Sequence, residues 1–190
     1  MITQILLLIN ALLYLGPSFL DGTLDPTTTN QPTPKYDSVM EWGSFRSLAF
    51  DNGEYYRLVS SMFLHWGLMH FIFNMISLYQ LGPAAEQIFG NGRMLIVYIA
   101  AGIFGGLATY FFGSANSASA GASGAIFGLV GALISYFLLN PSAVSSQILP
   151  QLFIVTAINL VYGFSSPNIG NAAHIGGLLS GLAIGFVFGR

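Results

Sequence analysis

Residues 171–186 read NAAHIGGLLSGLAIGF, and this stretch decides the fold because it combines high hydropathy with regularly spaced glycines. Glycines recur every four positions from Gly177 to Gly185, which aligns them along one face of a helix. In lipid, such a ridge of small residues lets a second helix approach closely. His174 projects on the same side, so the pattern predicts a helix whose histidine faces protein and not lipid.

The composition of the whole chain is typical of a membrane protein. Of its 190 residues only 6% are charged and 54% are hydrophobic, whereas about a quarter of a soluble domain is charged. The net charge of −2 and the lack of a basic run argue against nucleic acid as a partner, because phosphate binding requires clustered Lys and Arg. The absence of cysteine excludes disulfides, thiolate nucleophiles and Cys-ligated metals.

Six apolar stretches have about the length that a helix needs to cross a bilayer. Between the first and second lies a polar segment, residues 21–58, which we call the long connection. Its Pro and Thr residues indicate extended chain, and its later part is expected to form short helices. We therefore predict an all-α membrane protein, with residues 1–190 forming one domain and a bundle of six helices. The predicted spans are 2–20, 61–81, 93–113, 123–139, 148–164 and 172–189.

Four polar side chains stand out in these apolar spans. His70 and Asn74 are spaced i to i+4, so they share one face near the start of the second helix. Ser123 opens the fourth helix and His174 opens the sixth. The short connections make consecutive helices antiparallel, so the second, fourth and sixth start at the same membrane face, which also carries the long connection. The four residues are therefore expected to converge at one depth.

These groups suit nucleophilic catalysis by serine. An imidazole beside Ser123 would take its proton, and the Asn74 amide, the His70 ring and the Ser123 N–H would donate to the developing oxyanion. We place Glu86 in the turn GPAAEQIFGNG and find no acid inside a span. The predicted catalytic unit is therefore a dyad of Ser123 and His174 without the acid of a triad. For one isolated histidine, a structural role is an equally good interpretation.

Competing chemistries lack the residues that they require. An intramembrane aspartyl protease needs two buried aspartates, and the spans contain none. A metalloprotease needs a motif such as H-E-x-x-H, but His65 and His70 are five apart with no acid between them. We expect no metal site and no cofactor. A transporter usually carries buried charged residues along its transport path, and the predicted spans contain no acidic residue on which such a path could depend. A non-catalytic bundle that binds other membrane helices is the stronger alternative, because it explains the glycines but not the convergent polar residues.

Three stretches carry a family resemblance: GEYYRLVSSMFLHWGLMHFIFNMISLYQLGPAAEQIFG, then GASGAIFG, then AHIGGL. In this order they resemble the rhomboid family of intramembrane serine proteases, in the compact six-helix form typical of bacteria. The joint occurrence of H-x-x-x-N, G-x-S-G and A-H is highly specific, although G-x-S-G alone is weak. The resemblance implies a multi-pass protein of the bacterial inner membrane that cleaves transmembrane segments of other membrane proteins, without a cofactor.

The resemblance also implies roles for individual residues. It makes Ser123 the nucleophile, His174 the general base, and His70 and Asn74, with the Ser123 amide, the oxyanion site. Four positions fall where the family lines its substrate pocket: Met69, Phe73, Phe127 and Gly177.

Two positions depart from the family pattern. The loop motif usually written Trp-Arg is Tyr56-Arg57 here, and the aromatic residue four positions after the serine, often Tyr, is Phe127. The Phe127 ring can pack against His174 but offers no hydroxyl. Inactive relatives, which bind transmembrane helices without cleaving them, lose the serine or the histidine, and this chain keeps both. We interpret His65 as a structural ring that ties the first loop to the second helix, and Glu54 and Arg57 as structural residues of that loop.

Overall fold

The computed structural model describes residues 1–20, 34–113, 118–143 and 171–189, and six helical positions between 150 and 161. Helices dominate these ranges, with one antiparallel pair of two-residue strands. The elements are α1 (Ile2–Leu20), α2 (Pro34–Glu41), β1 (Phe45–Arg46), α3 (Ser47–Asp51), α4 (Arg57–Ser60), a 3-10 turn (Ser61–Phe63), α5 (Leu68–Phe112), β2 (Ala118–Ser119), α6 (Ser123–Leu139), a 3-10 turn (Pro141–Ala143) and α7 (Asn171–Phe188).

Within the described ranges, three helices are long and apolar enough to cross a membrane: α1, α5 and α7. The apolar helix α6 has 17 residues, at the lower end of the length that spans hydrocarbon. The predicted helical membrane bundle is therefore confirmed, although the all-α prediction missed the β1–β2 pair, whose strands are too short to leave a periodic signal. The fifth predicted span, 148–164, lies largely outside the described residues, so the count of six helices stays a prediction.

Helix α5 contains most of the second and third predicted spans, and the chain reverses between them. His70 and Gly105 line the same cavity, although 35 residues of straight helix would separate them by about 52 Å. The reversal occurs at Gly90, whose φ of 78° is non-helical and lies in a region that favours glycine. Residues 68–89 and 91–112 therefore form two antiparallel limbs.

The predicted boundaries of the second span were wrong at both ends. Residues 61–63 form a 3-10 turn, and the helix starts only at Leu68, after the extended Gly67. The expected turn at residues 82–92 is helical except at Gly90, and Pro83 lies inside the helix. Hydropathy marks which residues are apolar, but a sharp reversal needs only one glycine, so the turn is much shorter than its composition suggested.

Glu86 is buried within α5, which corrects its predicted position in a turn. Its carboxylate accepts the backbone N–H of Thr3 at 3.0 Å and the Thr3 hydroxyl at 2.9 Å. Thr3 lies in the first turn of α1, where backbone N–H groups have no partner within the helix and the helix dipole favours negative charge. The buried acid thereby holds the start of α1 against α5.

Helices α6 and α7 pack through their glycines. A methyl group on Gly177 would overlap the Gly124 carbonyl oxygen, and one on Gly181 would overlap the Gly128 carbonyl oxygen. The two backbones are therefore in direct contact. The close approach of a second helix to the glycine ridge of residues 177–185 is confirmed, and that helix is α6. The Ser135 hydroxyl, which donates to the Leu182 carbonyl at 2.7 Å, adds a polar link between the helices.

The described part of the long connection, residues 34–58, folds into short helices, as predicted; its first part, residues 21–33, lies outside the described residues. The buried Arg57 donates to the backbone carbonyls of Met40 and Ser44, at 2.8 and 3.0 Å. Its Nε also lies 2.6 Å from the Glu54 carboxylate. This hydrogen bond lowers the pKa of Glu54 from its usual value. The structural role predicted for Arg57 is confirmed.

Candidate active site

Ser123 is the first residue of α6, and a short run of backbone contacts places it there. Strand β2 pairs with β1, and the Gly121 N–H then donates to the Ser61 carbonyl at 2.9 Å. Gly121 has a φ of 141°, a conformation that L side chains rarely adopt. The N–H groups of the first helical turn have no partner inside the helix, so the start of α6 presents donors beside the Ser123 hydroxyl.

His174 meets Ser123 from the facing helix. Its Nε2 atom lies 2.8 Å from the Ser123 Oγ. Both side chains are buried, with exposures of 4% for His174 and 8% for Ser123. This separation is within hydrogen-bond range for a serine and the base that activates it. The contact is possible because α6 and α7 touch through Gly124 and Gly177.

The Phe127 ring holds His174 from one side. The two rings stack with centroids 4.6 Å apart and an interplanar angle of 18°. Phe127 lies one helical turn after Ser123, so both side chains project from one face of α6. The Nδ1 atom of His174 is buried and, among the described residues, has no hydrogen-bond partner. The arrangement is therefore a pair of Ser and His, with an aromatic ring stacked on the face of the imidazole and no carboxylate at Nδ1 among the described residues.

His70 reaches the same place from the first limb of α5. Its ring lies against Gly121, where a methyl group would be 2.6 Å from Cε1. The ring is buried and, with Ser123 and His174, lines a cavity of about 30 Å³. An imidazole N–H in this position can donate to a group bound next to Ser123.

Asn74 lies one turn further along α5 than His70 and, unlike His70, does not line the cavity beside Ser123. Its side-chain amide donates to the His70 carbonyl at 2.8 Å. Asn74 is buried. An amide carries two N–H donors, so one stays available after this bond.

The remaining pocket residues from the resemblance do not line the cavity. Met69 is 49% exposed and Phe73 is partly buried, and neither contributes to the cavity wall. Gly177 packs on Gly124 instead. The cavity wall also contains Met62 and three glycines of the second limb of α5, which were not predicted from the sequence. The signal was the cluster of small residues at Gly102, Gly105 and Gly106.

His65 contacts the start of α5, as predicted. Its ring meets the His70 ring edge-on at 5.3 Å and the Phe71 ring at 5.5 Å. No group of three or more His, Asp or Glu side chains that could hold a metal ion occurs in the described part of the chain.

Residues 52–190 match the Rhomboid domain family. The chain is 39% identical over 145 residues to Rhomboid protease GluP of Bacillus subtilis (strain 168), which covers 76% of this chain and 28% of that protein. It is 33% identical over 141 residues to Putative rhomboid protease YdcA of the same organism, covering 74% of this chain and 71% of that one. It is 36% identical over 157 residues to RHOMBOID-like protein 5 of Arabidopsis thaliana, covering 81% of this chain and 50% of that one.

The chain thus spans a little over a quarter of GluP and half of RHOMBOID-like protein 5. The family match extends from the last part of the long connection through α7 and includes Ser123, His174, His70 and Asn74. Together with the membrane-length apolar helices, this match establishes that the chain is an integral membrane protein of the rhomboid family.

Proposed function

We propose that this protein is an intramembrane serine protease that hydrolyses peptide bonds in or near the transmembrane segments of other membrane proteins. The observation that carries the proposal is the 2.8 Å contact between the His174 Nε2 and the Ser123 Oγ, buried at the start of two helices in a membrane bundle. The catalytic unit is a dyad, with Phe127 packing on the imidazole.

The reaction begins when the Ser123 Oγ attacks the carbonyl carbon of the scissile bond. The hydroxyl proton passes to the His174 Nε2, which must be unprotonated beforehand, so the neutral ring carries its proton on Nδ1. The carbonyl oxygen becomes an oxyanion. His174 then gives its proton to the amide nitrogen, the C–N bond breaks, and the C-terminal fragment leaves as an amine.

The acyl-enzyme that remains is an ester on Ser123. Water attacks its carbonyl carbon and passes a proton to the His174 Nε2. The second tetrahedral intermediate collapses, the Ser123 oxygen takes the proton back, and the N-terminal fragment leaves as a carboxylic acid. In both halves of the reaction, the Ser123 N–H, the His70 ring and the Asn74 amide stabilise the oxyanion.

The cavity beside the dyad supports a preference for small side chains at the cleaved position. Its volume is about 30 Å³, and Gly, Ala and Ser make up most of its lining. A residue such as alanine fits with little rearrangement, whereas a larger side chain must displace packed atoms. The burial of the dyad among apolar helices of membrane-spanning length supports a membrane-embedded substrate. We propose the bacterial inner membrane as the location.

A cleavage assay on a single-pass model substrate in liposomes tests the proposal. Wild-type protein is expected to produce two fragments, and Ser123→Ala is expected to produce none. Equal cleavage by the two proteins would overturn the proposal in favour of the alternative, a catalytically inactive rhomboid-like protein that binds transmembrane helices.

A further inference from the structure

His65 lies in the turn between the 3-10 element and α5 and is only 1% exposed. Its Nε2 atom accepts the backbone N–H of Ala122 at 3.4 Å. Because an N–H group can only donate, Nε2 must be unprotonated, and the neutral ring carries its proton on Nδ1. This contact joins a side chain before α5 to the residue that immediately precedes Ser123.

The peptide group held by His65 adjoins the one that carries the Ser123 N–H. Each peptide group is planar, so fixing the Ala122 nitrogen leaves only the φ and ψ angles of Ala122 to orient the Ser123 N–H. The residues just before it are also held, by the β1–β2 pair and by the bond from the Gly121 N–H to the Ser61 carbonyl. His65 therefore holds the peptide group that immediately precedes the one carrying the Ser123 N–H.

The same ring touches a second of the three proposed oxyanion donors, the His70 ring. The His65 and His70 rings meet edge to face, with centroids 5.3 Å apart and an interplanar angle of 67°. His65 also packs on Phe71, which stacks against Tyr14 of α1 with ring centroids 4.4 Å apart. His65 thus contacts the His70 ring and the peptide group before the Ser123 N–H, which are two of the three proposed donor positions.

We propose that His65 is a positioning residue that fixes the separation between the Ser123 N–H and the His70 ring. The inference rests on the proposed function, since it concerns the oxyanion site of that reaction. His65 itself does not touch the substrate. It holds the Ala122 backbone through Nε2 and the His70 ring through packing, so that both donors point at one place before the substrate arrives.

Two substitutions separate the hydrogen bond from the packing. His65→Phe keeps an aromatic ring against His70 and Phe71 but cannot accept the Ala122 N–H. His65→Gln loses the ring, yet its side-chain carbonyl can accept that N–H. We expect His65→Phe to lower kcat about 10-fold to 100-fold, as a donor displaced by a fraction of an ångström would, with little change in KM. His65→Gln keeps that bond and should stay closer to wild type than His65→Phe, and its remaining loss of kcat measures the contribution of the packing on His70.

Ser135→Ala is the matched control for loss of one buried hydrogen bond. It removes the bond to the Leu182 carbonyl, away from the cavity, and should lower the unfolding temperature without lowering kcat. If His65→Phe does not unfold cooperatively, His65→Leu takes its place in the comparison with His65→Gln.

A double mutant distinguishes positioning from general stabilisation. If His65 acts through the oxyanion donors, His65→Phe combined with His70→Ala should be scarcely slower than His70→Ala alone, because groups that act as a unit are not additive. Multiplying losses, or a wild-type kcat in His65→Phe, would overturn the inference while wild-type protein still cleaves. Wild-type protein that neither cleaves nor reacts with a fluorophosphonate at Ser123 would instead overturn the proposed function.

Discussion

The Nε2 atom of His174 lies 2.8 Å from the Oγ atom of Ser123, although the two residues are 51 positions apart in the sequence. One opens α6 and the other lies in the first turn of α7. Their separation is set where the helix backbones touch, at Gly124 and Gly177. The reactive geometry therefore depends on the packing of two helices as much as on two side chains.

Removing either member of the dyad should reduce peptide cleavage to background. We expect Ser123→Ala, His174→Ala and the double mutant to be equally inactive, because a nucleophile and its base act as a unit. Turnover of a model substrate and thermal unfolding should be measured together. Ser180→Ala, which loses only the bond to the Gly177 carbonyl, is the matched control and should stay active. A double mutant much slower than either single mutant would contradict the dyad.

Loss of a single oxyanion donor should slow the reaction without stopping it. Asn74→Ala and His70→Ala should each lower kcat by about 100-fold to 1000-fold, which corresponds to roughly 3 to 4 kcal/mol of transition-state stabilisation. KM should change less. A fluorophosphonate probe should still label Ser123 in both variants, only more slowly, and should not label His174→Ala. If His70→Ala abolished labelling while His174→Ala still reacted, the two histidines would have exchanged roles.

A methyl group at the contact between α6 and α7 should destabilise the protein. Gly177→Ala would overlap the Gly124 carbonyl oxygen, and overpacking of this kind costs about 1 to 3 kcal/mol in the free energy of unfolding. Activity should fall as well, since Gly124 adjoins Ser123. Gly92→Ala is the matched control, because its methyl group would meet no atom within 4 Å. Unfolding in SDS measures the stability of the two variants, and equal stabilities would contradict the close packing of α6 on α7.

The bond between Glu86 and Thr3 should matter for stability more than for catalysis. Thr3→Val removes one of the two hydrogen bonds and should cost about 1 kcal/mol, and Glu86→Ala should cost more, because it leaves a buried N–H unpaired. Neither residue lines the cavity beside Ser123, so kcat at a permissive temperature should be unchanged. The exposed Glu41 supplies the control Glu41→Ala, with wild-type stability expected. A loss of kcat in Thr3→Val without a loss of stability would refute this assignment.

Cleavage should be independent of metal ions and of thiol chemistry. The chain contains no cysteine, and the described residues include no cluster of three metal-binding side chains. Activity is therefore expected to survive EDTA and thiol reagents, and to fall with a fluorophosphonate that labels Ser123. Inhibition by EDTA that added zinc reverses would show that the histidines bind a metal.

Hydropathy alone predicted where most of the membrane helices lie, because a helix that crosses lipid must be apolar over a fixed length. It did not predict that the second helix starts at Leu68 and not at residue 61. It also did not predict that the second and third spans form one helix interrupted only at Gly90. Both features depend on the φ and ψ angles of single residues, which leave little trace in composition. Glu86 was misplaced for the same reason.

The residue types and order of H-x-x-x-N, G-x-S-G and A-H were sufficient to predict a serine and a histidine at one membrane face, because topology alone brings alternate helix starts together. Only the tertiary structure decided which atoms meet there. The backbone contact between α6 and α7 brings the His174 Nε2 to the Ser123 Oγ. The Asn74 amide donates one hydrogen bond to the His70 carbonyl of its own helix. The Ala122 N–H donates to His65, which lies 57 positions earlier in the chain. No sequence pattern predicts this bond, because it depends on how the segments before α5 and α6 pack against each other.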